Sequence, residues 1–365
     1  MATDNVSVFL SSGGDDRSLA LAKFSGEVLV SFRVNTVFYD NRNTIVSYKM
    51  VDEGKSWQFP ILGDDPAPEY HTTGTELLGQ QQLYQAVTLT PDDILVGHRS
   101  VGIDQIKMSH FDTIGQYGRA IGRGLAIDID SKIIRVAILA ARTSASAGYY
   151  PGGNVVYRAA TGTTYADAFP ATAAGAFNFR DDAAQLAQLM DEDNVPRDGR
   201  YLFIPPYFVR VLTKDSGSYF SFGTGPANTG FSTSGTSTLF SADYGSGNDI
   251  NRRVIGVLEG FNVIVSNNFP ANANVTTGNP PSNTTKYNVD NRYVVSGSNG
   301  QACAIALCGA SEGSGAVGMV EFMGIQPWMQ RNEYKNVEFM KAQTFFGLGV
   351  VAPWKAGIIQ ARNAA

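Results

Sequence analysis

A glycine-rich hexapeptide is the first segment whose residue spacing matches a known ligand-binding motif. Gly313-Ser314-Gly315-Ala316-Val317-Gly318 fits the Gly-x-Gly-x-x-Gly pattern, in which backbone amides and a helix N-terminus hold a dinucleotide pyrophosphate. In that motif a helix follows, whereas Met319 to Trp328 is interrupted by Gly324 and Pro327. A glycine turn is therefore favoured over a nucleotide site. Gly54-Lys55-Ser56 lacks the upstream glycines of a phosphate-binding loop.

Three histidines and two aspartates are the next candidates. His71, His98 and His110 show neither His-Glu-x-x-His spacing nor clustering that would predict a metal site. So few histidines make nucleophile and general-base chemistry a weak hypothesis, although the sequence leaves it open. Asp128 and Asp130 are two positions apart on a predicted helix, where side chains do not face each other. A solvated or inter-subunit face is therefore favoured over a catalytic carboxylate pair.

The two cysteines predict neither a disulfide framework nor a metal centre. Cys303 and Cys308 are two ligands short of a structural zinc site, and they lie in an apolar run from Ala302. Two small buried side chains are the favoured interpretation. We therefore expect no metal and no cofactor.

Length and composition exclude several classes of protein. At 365 residues the chain exceeds the roughly 250 to 300 residues that one core serves, so several parts are expected. With 43% hydrophobic and 17% charged residues it lies outside the disordered class. A formal charge of -5 provides no global basic field, so any contact with DNA should be local and weak. Without a signal peptide or an apolar stretch of roughly 18 residues, we expect a cytosolic protein that contacts no membrane.

The hydrophobic pattern predicts an extended hairpin and then a long helix. Ile45 to Met50 and Trp57 to Leu62 are β-prone runs separated by turn residues, and Leu83 to Leu89 is a strand that could pair back. From Ser109 to Arg142 apolar residues recur every three or four positions, which predicts a helix about 50 Å long with Ser109 and Asp112 as a capping box. Its first half holds Gly115, Gly118, Gly122 and Gly124, so it should bend or be held by packing.

Shorter elements and polar segments complete the pattern. A polar arm ends at Asp16, and Ala145 to Ala176 is a connection rich in Gly, Ala and Tyr. The predicted helices are Arg17 to Phe24, Asp181 to Asp191, a helix beginning at Tyr207 to Thr213, and Glu338 to Thr344; the predicted strands are Gly199 to Ile204, Val254 to Leu258 and Phe261 to Val265. Polar excursions cover Ser216 to Asp249 and Ala271 to Asn291, and the last portion needs distant strand partners. Such long-range pairing predicts one interwoven α+β body.

A mixed apolar and acidic strip lies on and beside the predicted hairpin. It comprises Lys55, Trp57, Phe59, Leu62, Asp64, Asp65 and Glu69. One interpretation is an ordinary half-buried sheet. The other is a surface that docks on a neighbouring subunit, because apolar groups on an extended arm need a partner to leave water.

The order of these segments resembles the Hong Kong 97-type fold of tailed-phage major capsid proteins, in particular those of the short-tailed, autographivirus-like podovirus group. Four stretches carry the resemblance: Ser25 to Leu29; Gly54 to Ser56 with Gln58 to Gly63; Val195-Pro196 with Arg200 to Ile204; and Val257 to Val263. The resemblance covers most of the chain in order. The two polar excursions are longer than the usual connections of that group.

The resemblance implies a division of the chain into four parts. Residues 1–45 would form an N-terminal arm and 46–86 an extended loop built as a β-hairpin. Residues 87–176 and 318–365 would form a peripheral domain around a spine helix at about 109–142. Residues 177–317 would form an axial domain with polar insertions at about 216–249 and 271–291.

The resemblance also implies a function and partners. Copies would assemble into hexamers and pentamers of an icosahedral head in the bacterial cytoplasm, each extended loop lying across the next subunit. A scaffold protein would direct a precursor shell and a portal protein would occupy one vertex, with or without an external cement protein. The acidic balance suits a shell that confines double-stranded DNA and contacts it weakly.

Two other classes of function stay open on the sequence. A surface-binding or adhesin-like module would use the Ser-, Thr- and Gly-rich excursions and would be a stable monomer. A nucleotide-binding enzyme would use Gly313 to Gly318, which is the weaker of the two hypotheses.

Overall fold

The computed structural model describes residues 17–39, 41–62, 68–74, 76, 79, 83–91, 94–109, 112–147, 150–160, 165–214, 254–269, 302–309, 315–332 and 334–363. The predicted polar arm and both polar excursions lie outside these residues. Within them, no helix is long and apolar enough to span a bilayer.

Seven helices and twelve strands alternate along the described chain. The helices are α1 (Arg17–Asn35), α2 (Arg42–Ile45), α3 (Ile103–Met108), α4 (Thr113–Ala141), α5 (Tyr165–Ala168), α6 (Ala173–Glu192) and α7 (Pro206–Leu212). The strands are β1 (Ser47–Met50), β2 (Trp57–Leu62), β3 (Tyr84–Leu89), β4 (Leu95–Gly102), β5 (Asn154–Ala160), β6 (Arg200–Ile204), β7 (Val254–Leu258), β8 (Phe261–Val265), β9 (Ala302–Cys308), β10 (Val317–Asn332), β11 (Val337–Val350) and β12 (Ala356–Asn363). This mixture is the α+β composition that the sequence predicts.

Three sheets join strands that are distant in sequence. A four-stranded sheet has the order β1-β10-β11-β4, a six-stranded sheet has the order β5-β12-β9-β6-β8-β7, and β2 and β3 form a two-stranded ribbon. The C-terminal strand β12 lies between β5 and β9, so the chain end completes a sheet begun about 200 residues earlier. This interweaving confirms the prediction of long-range pairing.

Helix α4 forms the spine of the first core, and its glycines let α1 approach closely. Phe24, Val28 and Phe32 recur every four residues on α1 and are fully buried or nearly so, which explains why α1 continues eleven residues past its predicted end at Phe24. A Cβ at Gly118 would lie 3.2 Å from the Phe24 ring, and one at Gly122 would overlap the Val28 carbonyl oxygen. Packing against α1 therefore accounts for two of the four glycines.

A second core lies between α6, α7 and the six-stranded sheet. Phe169, Phe179 and Phe208 are fully buried there and make ring contacts with one another. Strand β9 is buried at every residue, as are the five residues of β6. Strands covered on both faces have the continuous apolar sequence seen here.

Several local predictions are confirmed. Strands β2, β7 and β8 have the predicted bounds, and β3, β6 and α7 lie within a residue of theirs. The spine helix is real but begins at Thr113 rather than Ser109. Asp112 is its N-cap and accepts a hydrogen bond from Gly115 N at 3.2 Å, so the predicted capping box with Ser109 is wrong.

Other predictions are wrong, and tertiary pairing is the reason. Strand β1 pairs in parallel with β10 instead of forming a hairpin with β2. The predicted helix at Glu338 to Thr344 lies in β11, where buried Met340, Ala342 and Thr344 alternate with partly exposed residues. Its Glu, Lys, Met, Ala and Gln favour helices locally, but pairing with β10 and β4 on both sides overrides that preference.

The segment before β6 also departs from expectation. The predicted connection from Ala145 to Ala176 contains β5, which pairs in parallel with β12. Helix α6 begins at Ala173 with Thr172 as its N-cap, so Asp181 and Asp182 lie in the middle of the helix rather than at its N-terminus. Both aspartates instead pair with Arg158 of β5.

Candidate inter-subunit surface

The β2–β3 ribbon, residues 57–62 and 84–89, is held at its base by a small apolar cluster. Trp57 pairs with Leu89 and Leu62 with Tyr84 in an antiparallel register, which confirms that the Leu83 to Leu89 run pairs back. Phe59 and Leu89 pack with Val51, Val320 and Val351. Because Val320 belongs to β10, this cluster ties the ribbon to the start of the long β10–β11 hairpin.

The predicted strip residues divide between this anchor and the exposed surface. Phe59 is only 8% exposed and packs inside its own chain, so it anchors the ribbon. Lys55 and Glu69 are exposed, and Trp57 is 37% exposed with the Lys49 ammonium 4.9 Å from its ring centre. Leu62 ends β2, and nothing is described of its side chain; Asp64 and Asp65 lie outside the described residues. Their contact with a neighbouring subunit stays a prediction.

More apolar surface surrounds the ribbon. Tyr70, Leu83 and Tyr84 are exposed on the segments that continue from β2 and lead into β3. Burial of large apolar side chains against another surface lowers the free energy, because it removes them from water. An isolated ribbon is marginally stable in water, and the described contacts of this ribbon with its own chain include the cluster at its base. Both arguments favour a partner for this element.

A pocket lies at the other end of the β10–β11 hairpin, and sequence reasoning missed it. This hairpin-tip pocket, about 660 Å³, is lined by Ser100 of β4, Gln330 to Asn332 of β10, Tyr334 and Lys335 of the turn, and Val337 and Phe339 of β11. The turn takes a positive φ of 50° at Asn336, whose carbonyl accepts from Ile103 N at 3.1 Å. Nothing local in the sequence predicts that β4 closes this pocket.

A second depression lies between β4 and α4. Its volume is about 310 Å³, and its floor includes Gly97, Ile121, Gly124 and Leu125. A Cβ at Gly97 would lie 3.1 Å from Ile121, so this glycine allows the strand to approach the helix. Val96 is exposed on the same strand, which is an edge of the four-stranded sheet.

Buried polar residues hold the surrounding frame together. Asp130 of α4 has no exposed surface and accepts from Thr36 Oγ1 and Val37 N, each at 2.7 Å, from Phe38 N at 3.3 Å and from Asn268 Nδ2 at 2.9 Å. Burial raises the pKa of this carboxyl, against the opposing effect of the four hydrogen bonds. The predicted solvated face is therefore wrong for Asp130, which joins α4 to the segments after α1 and β8.

Glu321 fixes the base of β10 in a similar way. It accepts from the Tyr39 and Tyr48 hydroxyls, and Arg42 Nε lies 3.7 Å from it. The Arg42 guanidinium also lies over both tyrosine rings, at 4.3 and 4.5 Å from their centres. Burial, reinforced by the neighbouring carboxylate, raises the pKa of Tyr39 and of Tyr48. The cluster joins α2 and β1 to β10 beside the ribbon.

The remaining residues considered for chemistry are not brought together. Gly315 precedes β10, so the described part of the glycine motif leads into a strand and not a helix. Cys303 and Cys308 are buried thiols of β9 that form no disulfide, as predicted, and burial raises the pKa of Cys303. Asp128 pairs with Lys132 at 2.9 Å, away from the partners of Asp130. Over the described ranges, no three His, Cys, Asp or Glu side chains cluster as a metal site would require.

Comparison with known proteins identifies the fold and a family match. Residues 58–229 match the sequence family described as Gp10A-like: Major capsid protein. The capsid structure of the cyanophage P-SCSP1u is similar, with a TM-score of 0.64 and 23% identity over 87% of each chain. The mature capsid of bacteriophage PhiM1 has a TM-score of 0.61 and 16% identity over 91% of this chain and 88% of its own.

A third similar structure comes from Mycobacterium phage Ogopogo, with a TM-score of 0.51 and 14% identity over 90% of this chain and 92% of its own. Comparison with curated protein sequences gives no match. The chain has the Hong Kong 97-type fold of phage capsids, and its match to a major capsid protein family supports a capsid-forming function.

Proposed function

We propose that this chain is the major capsid protein of a short-tailed phage of the autographivirus-like group, and that its copies form the hexamers and pentamers of an icosahedral head. The observation that carries the proposal is a capsid fold over 87% of the chain combined with the family match at residues 58–229. The short-tailed group rests on the motif resemblance alone.

The proposed domain division implies a geometric mechanism. In this proposal residues 46–86 are the extended loop, 87–176 and 318–365 the peripheral domain, 177–317 the axial domain and 1–45 an arm. Three strands cross these boundaries, because β1 joins the sheet of β10, β11 and β4, whereas β5 and β12 join the sheet of β6 to β9. Axial domains surround each symmetry axis, and each loop lies across the next subunit. A contact that is weak between two subunits can hold a closed shell together, because every copy in the shell repeats it.

The exposed ribbon residues are the proposed contacts of that loop. Lys55, Trp57 and Glu69 are accessible, and the prediction extends to Leu62, Asp64 and Asp65. Phe59 serves the contact indirectly, by holding the ribbon against β10. The other partners that we propose rest on the resemblance alone: a scaffold protein, a portal protein, a cement protein where one exists, and weakly held double-stranded DNA. Assembly takes place in the host cytoplasm.

No described feature favours the rival functions. The adhesin-like alternative depends on the polar excursions, which lie outside the described residues. The nucleotide-binding alternative needs a helix after the glycine motif, and β10 occupies that position.

The loop can be tested separately from the rest of the fold. In the test variant, residues 64–82 are replaced by a two-residue Asn-Gly turn between Gly63 and Leu83, which retains both ribbon strands, their register and their base. A matched control replaces the same residues with a Gly-Ser segment of equal length. We expect both variants to fold with an unchanged melting temperature, while neither forms closed shells by negative-stain microscopy. Normal shells from the Asn-Gly variant would contradict the loop mechanism.

A further inference from the structure

An exposed face of the four-stranded sheet carries aromatic and cationic side chains together. Side chains of directly paired residues lie on the same face, so the register of β4, β10 and β11 places two rows of three residues side by side. The opposite face packs in the first core, where Met340 and Ala342 are buried. The exposed set is called the platform, and its members are His98, Trp328 and Lys341 in one row and Ser100, Gln330 and Phe339 in the next.

The rings of the platform lie next to one another, and a cation lies against one of them. The ring centres of Trp328 and Phe339 are 6.5 Å apart, and those of His98 and Phe339 are 5.9 Å apart. The Lys341 ammonium lies 4.9 Å from the centre of the Trp328 ring, which is 39% exposed. A planar group that stacks on Trp328 therefore comes within reach of a positive charge.

The charge of this region is opposite to that of the whole chain. Residues 95–108 and 326–343 contain five Lys or Arg and three Asp or Glu, a formal charge of +2 against -5 for the chain. The two platform rows, and the row on either side of them, include no acidic residue. Glu338 lies on the opposite face, opposite Arg331 in the β10–β11 register. The platform is therefore locally attractive to anions.

The hairpin-tip pocket extends this face towards the turn. Ser100, Gln330 and Phe339 belong both to the platform and to the lining of the pocket. Lys335 adds an exposed side chain at the turn, and its backbone N–H donates to Asn332 Oδ1 at 3.2 Å. The pocket volume of about 660 Å³ is typical of small-ligand sites, so there is room for a nucleotide.

We propose that the platform and the hairpin-tip pocket bind single-stranded nucleic acid, with bases stacked on Trp328 and Phe339 and phosphates held by Lys335 and Lys341. Such ligands combine planar rings with negative charge, and exposed aromatic side chains beside cations are how single strands are bound without sequence preference. An acidic peptide would not use the rings, and a neutral glycan would not use the charges. A duplex keeps its bases stacked on one another.

This inference goes beyond the proposed shell function and does not rest on it. The chain as a whole is acidic, so the contact is local, and we expect weak binding that falls as salt concentration rises. It is therefore measured on unassembled full-length subunits at low salt. The probe is a fluorescently labelled oligothymidylate of about 20 nucleotides, which exceeds the usual site of one small binding domain.

Two tryptophans in similar surroundings give a matched pair of variants. Trp328→Ala should weaken binding of the probe about fivefold or more, the lower end of what stacking of one base contributes. Trp57→Ala is the control, because this ring is 37% exposed and has the Lys49 ammonium 4.9 Å from its centre, but it lies on the β2–β3 ribbon. We expect unchanged binding from the control. Equal effects of the two substitutions would overturn the proposal.

Trp328→Phe separates stacking from a structural role. A phenylalanine ring still stacks, so this variant should bind the probe within about twofold of the natural chain. It should also lose most of the quenching of tryptophan fluorescence that the probe causes in the natural chain. Binding as weak as that of Trp328→Ala, or quenching equal to that of the natural chain, would contradict stacking on this residue.

The lysines predict the salt dependence of binding. On a single strand, each phosphate contact contributes about 0.7 to the slope of the logarithm of affinity against the logarithm of salt concentration. Lys335→Gln and Lys341→Gln should each lower that slope by about this amount. Lys214→Gln, which changes an exposed lysine after α7, should leave it unchanged. Slopes that are the same in all three variants would refute the phosphate contacts, and unchanged melting temperatures control for misfolding.

Competition with unlabelled ligands tests the other occupants. Unlabelled oligothymidylate should displace the probe, whereas a duplex of equal length, polyglutamate and a neutral oligosaccharide should displace it poorly. Displacement by any of these three as effective as that by the single strand would overturn the proposal in favour of that ligand. Because the subunits are unassembled, failure to bind the probe would refute this inference and leave the shell function intact.

Discussion

Asp130 is the residue on which three separate segments of the chain depend. Its two carboxylate oxygens accept from two backbone N–H groups, one hydroxyl and one amide, all without exposure to solvent. An asparagine amide can offer only one acceptor oxygen. Thr36 and Asn268 could turn to accept from the new amide, but the N–H of Val37 or of Phe38 would lose its acceptor.

We therefore expect Asp130→Asn to lower the free energy of unfolding by about 1 to 3 kcal/mol, the cost of one unsatisfied buried donor. Chemical denaturation of the unassembled subunit measures it. Asp181→Asn is the matched control, because this carboxylate of α6 is largely exposed and its ion pair with Arg158 is long, at 3.5 Å. Equal effects of the two substitutions would contradict the role given to Asp130.

The same residue predicts a pH dependence. Its pKa is raised by burial, so the folded chain binds the proton more tightly than the unfolded chain. The resulting stability is fully present below the unfolded value of about 3.8 and is lost as pH rises through the folded pKa. The difference in stability between the natural chain and Asp130→Asn should therefore be larger at pH 5 than at pH 8. A difference that grows toward pH 8 would contradict the direction of the shift.

The role of the glycines in α4 cannot be predicted from the sequence of that helix alone. The periodicity from Ser109 to Arg142 predicts the helix, and the glycines indicate either a bend or close packing. Only the position of α1 decides between them, because Gly122 faces the Val28 carbonyl whereas nothing lies within 4 Å of a Cβ at Gly124.

These two glycines make a matched pair of substitutions. Gly122→Ala should cost about 2 kcal/mol through overpacking against α1. Gly124→Ala should stabilise the subunit by roughly 0.5 to 1 kcal/mol, since alanine restricts the unfolded chain at no steric cost. Thermal melting of the two variants should therefore shift in opposite directions. Stabilisation by both would mean that α1 does not pack as described.

Two substitutions in strand β2 of the ribbon, Phe59→Ala and Trp57→Ala, can be compared in the same way. Phe59 fills the cluster at the ribbon base, so its loss should destabilise the subunit by about 3 kcal/mol or loosen the ribbon locally. Trp57 is partly exposed, so its loss should change the melting temperature little and impair assembly instead. Hydrogen exchange and sedimentation distinguish these results. Normal shells from Trp57→Ala would remove this residue from the proposed contacts.

For the molecule as a whole, local pattern predicted elements better than it predicted their partners. Runs of β-prone residues bounded by turn residues predict β2, β7 and β8. No local pattern indicates that β1 pairs with β10 or that β12 lies between β5 and β9. The helical preference of Glu338 to Thr344 yields to pairing on both sides in β11. The hairpin-tip pocket was missed for the same reason, because β4 and the β10–β11 turn meet only in the folded chain.

Self-assembly is the central claim, and it is a property of many copies. The most direct measurement is sedimentation with negative-stain microscopy of this chain, expressed alone and together with a scaffold protein. We expect capsomers or closed particles of uniform size in at least one of the two preparations. A clean monomer in both, at every concentration, would contradict the capsid function.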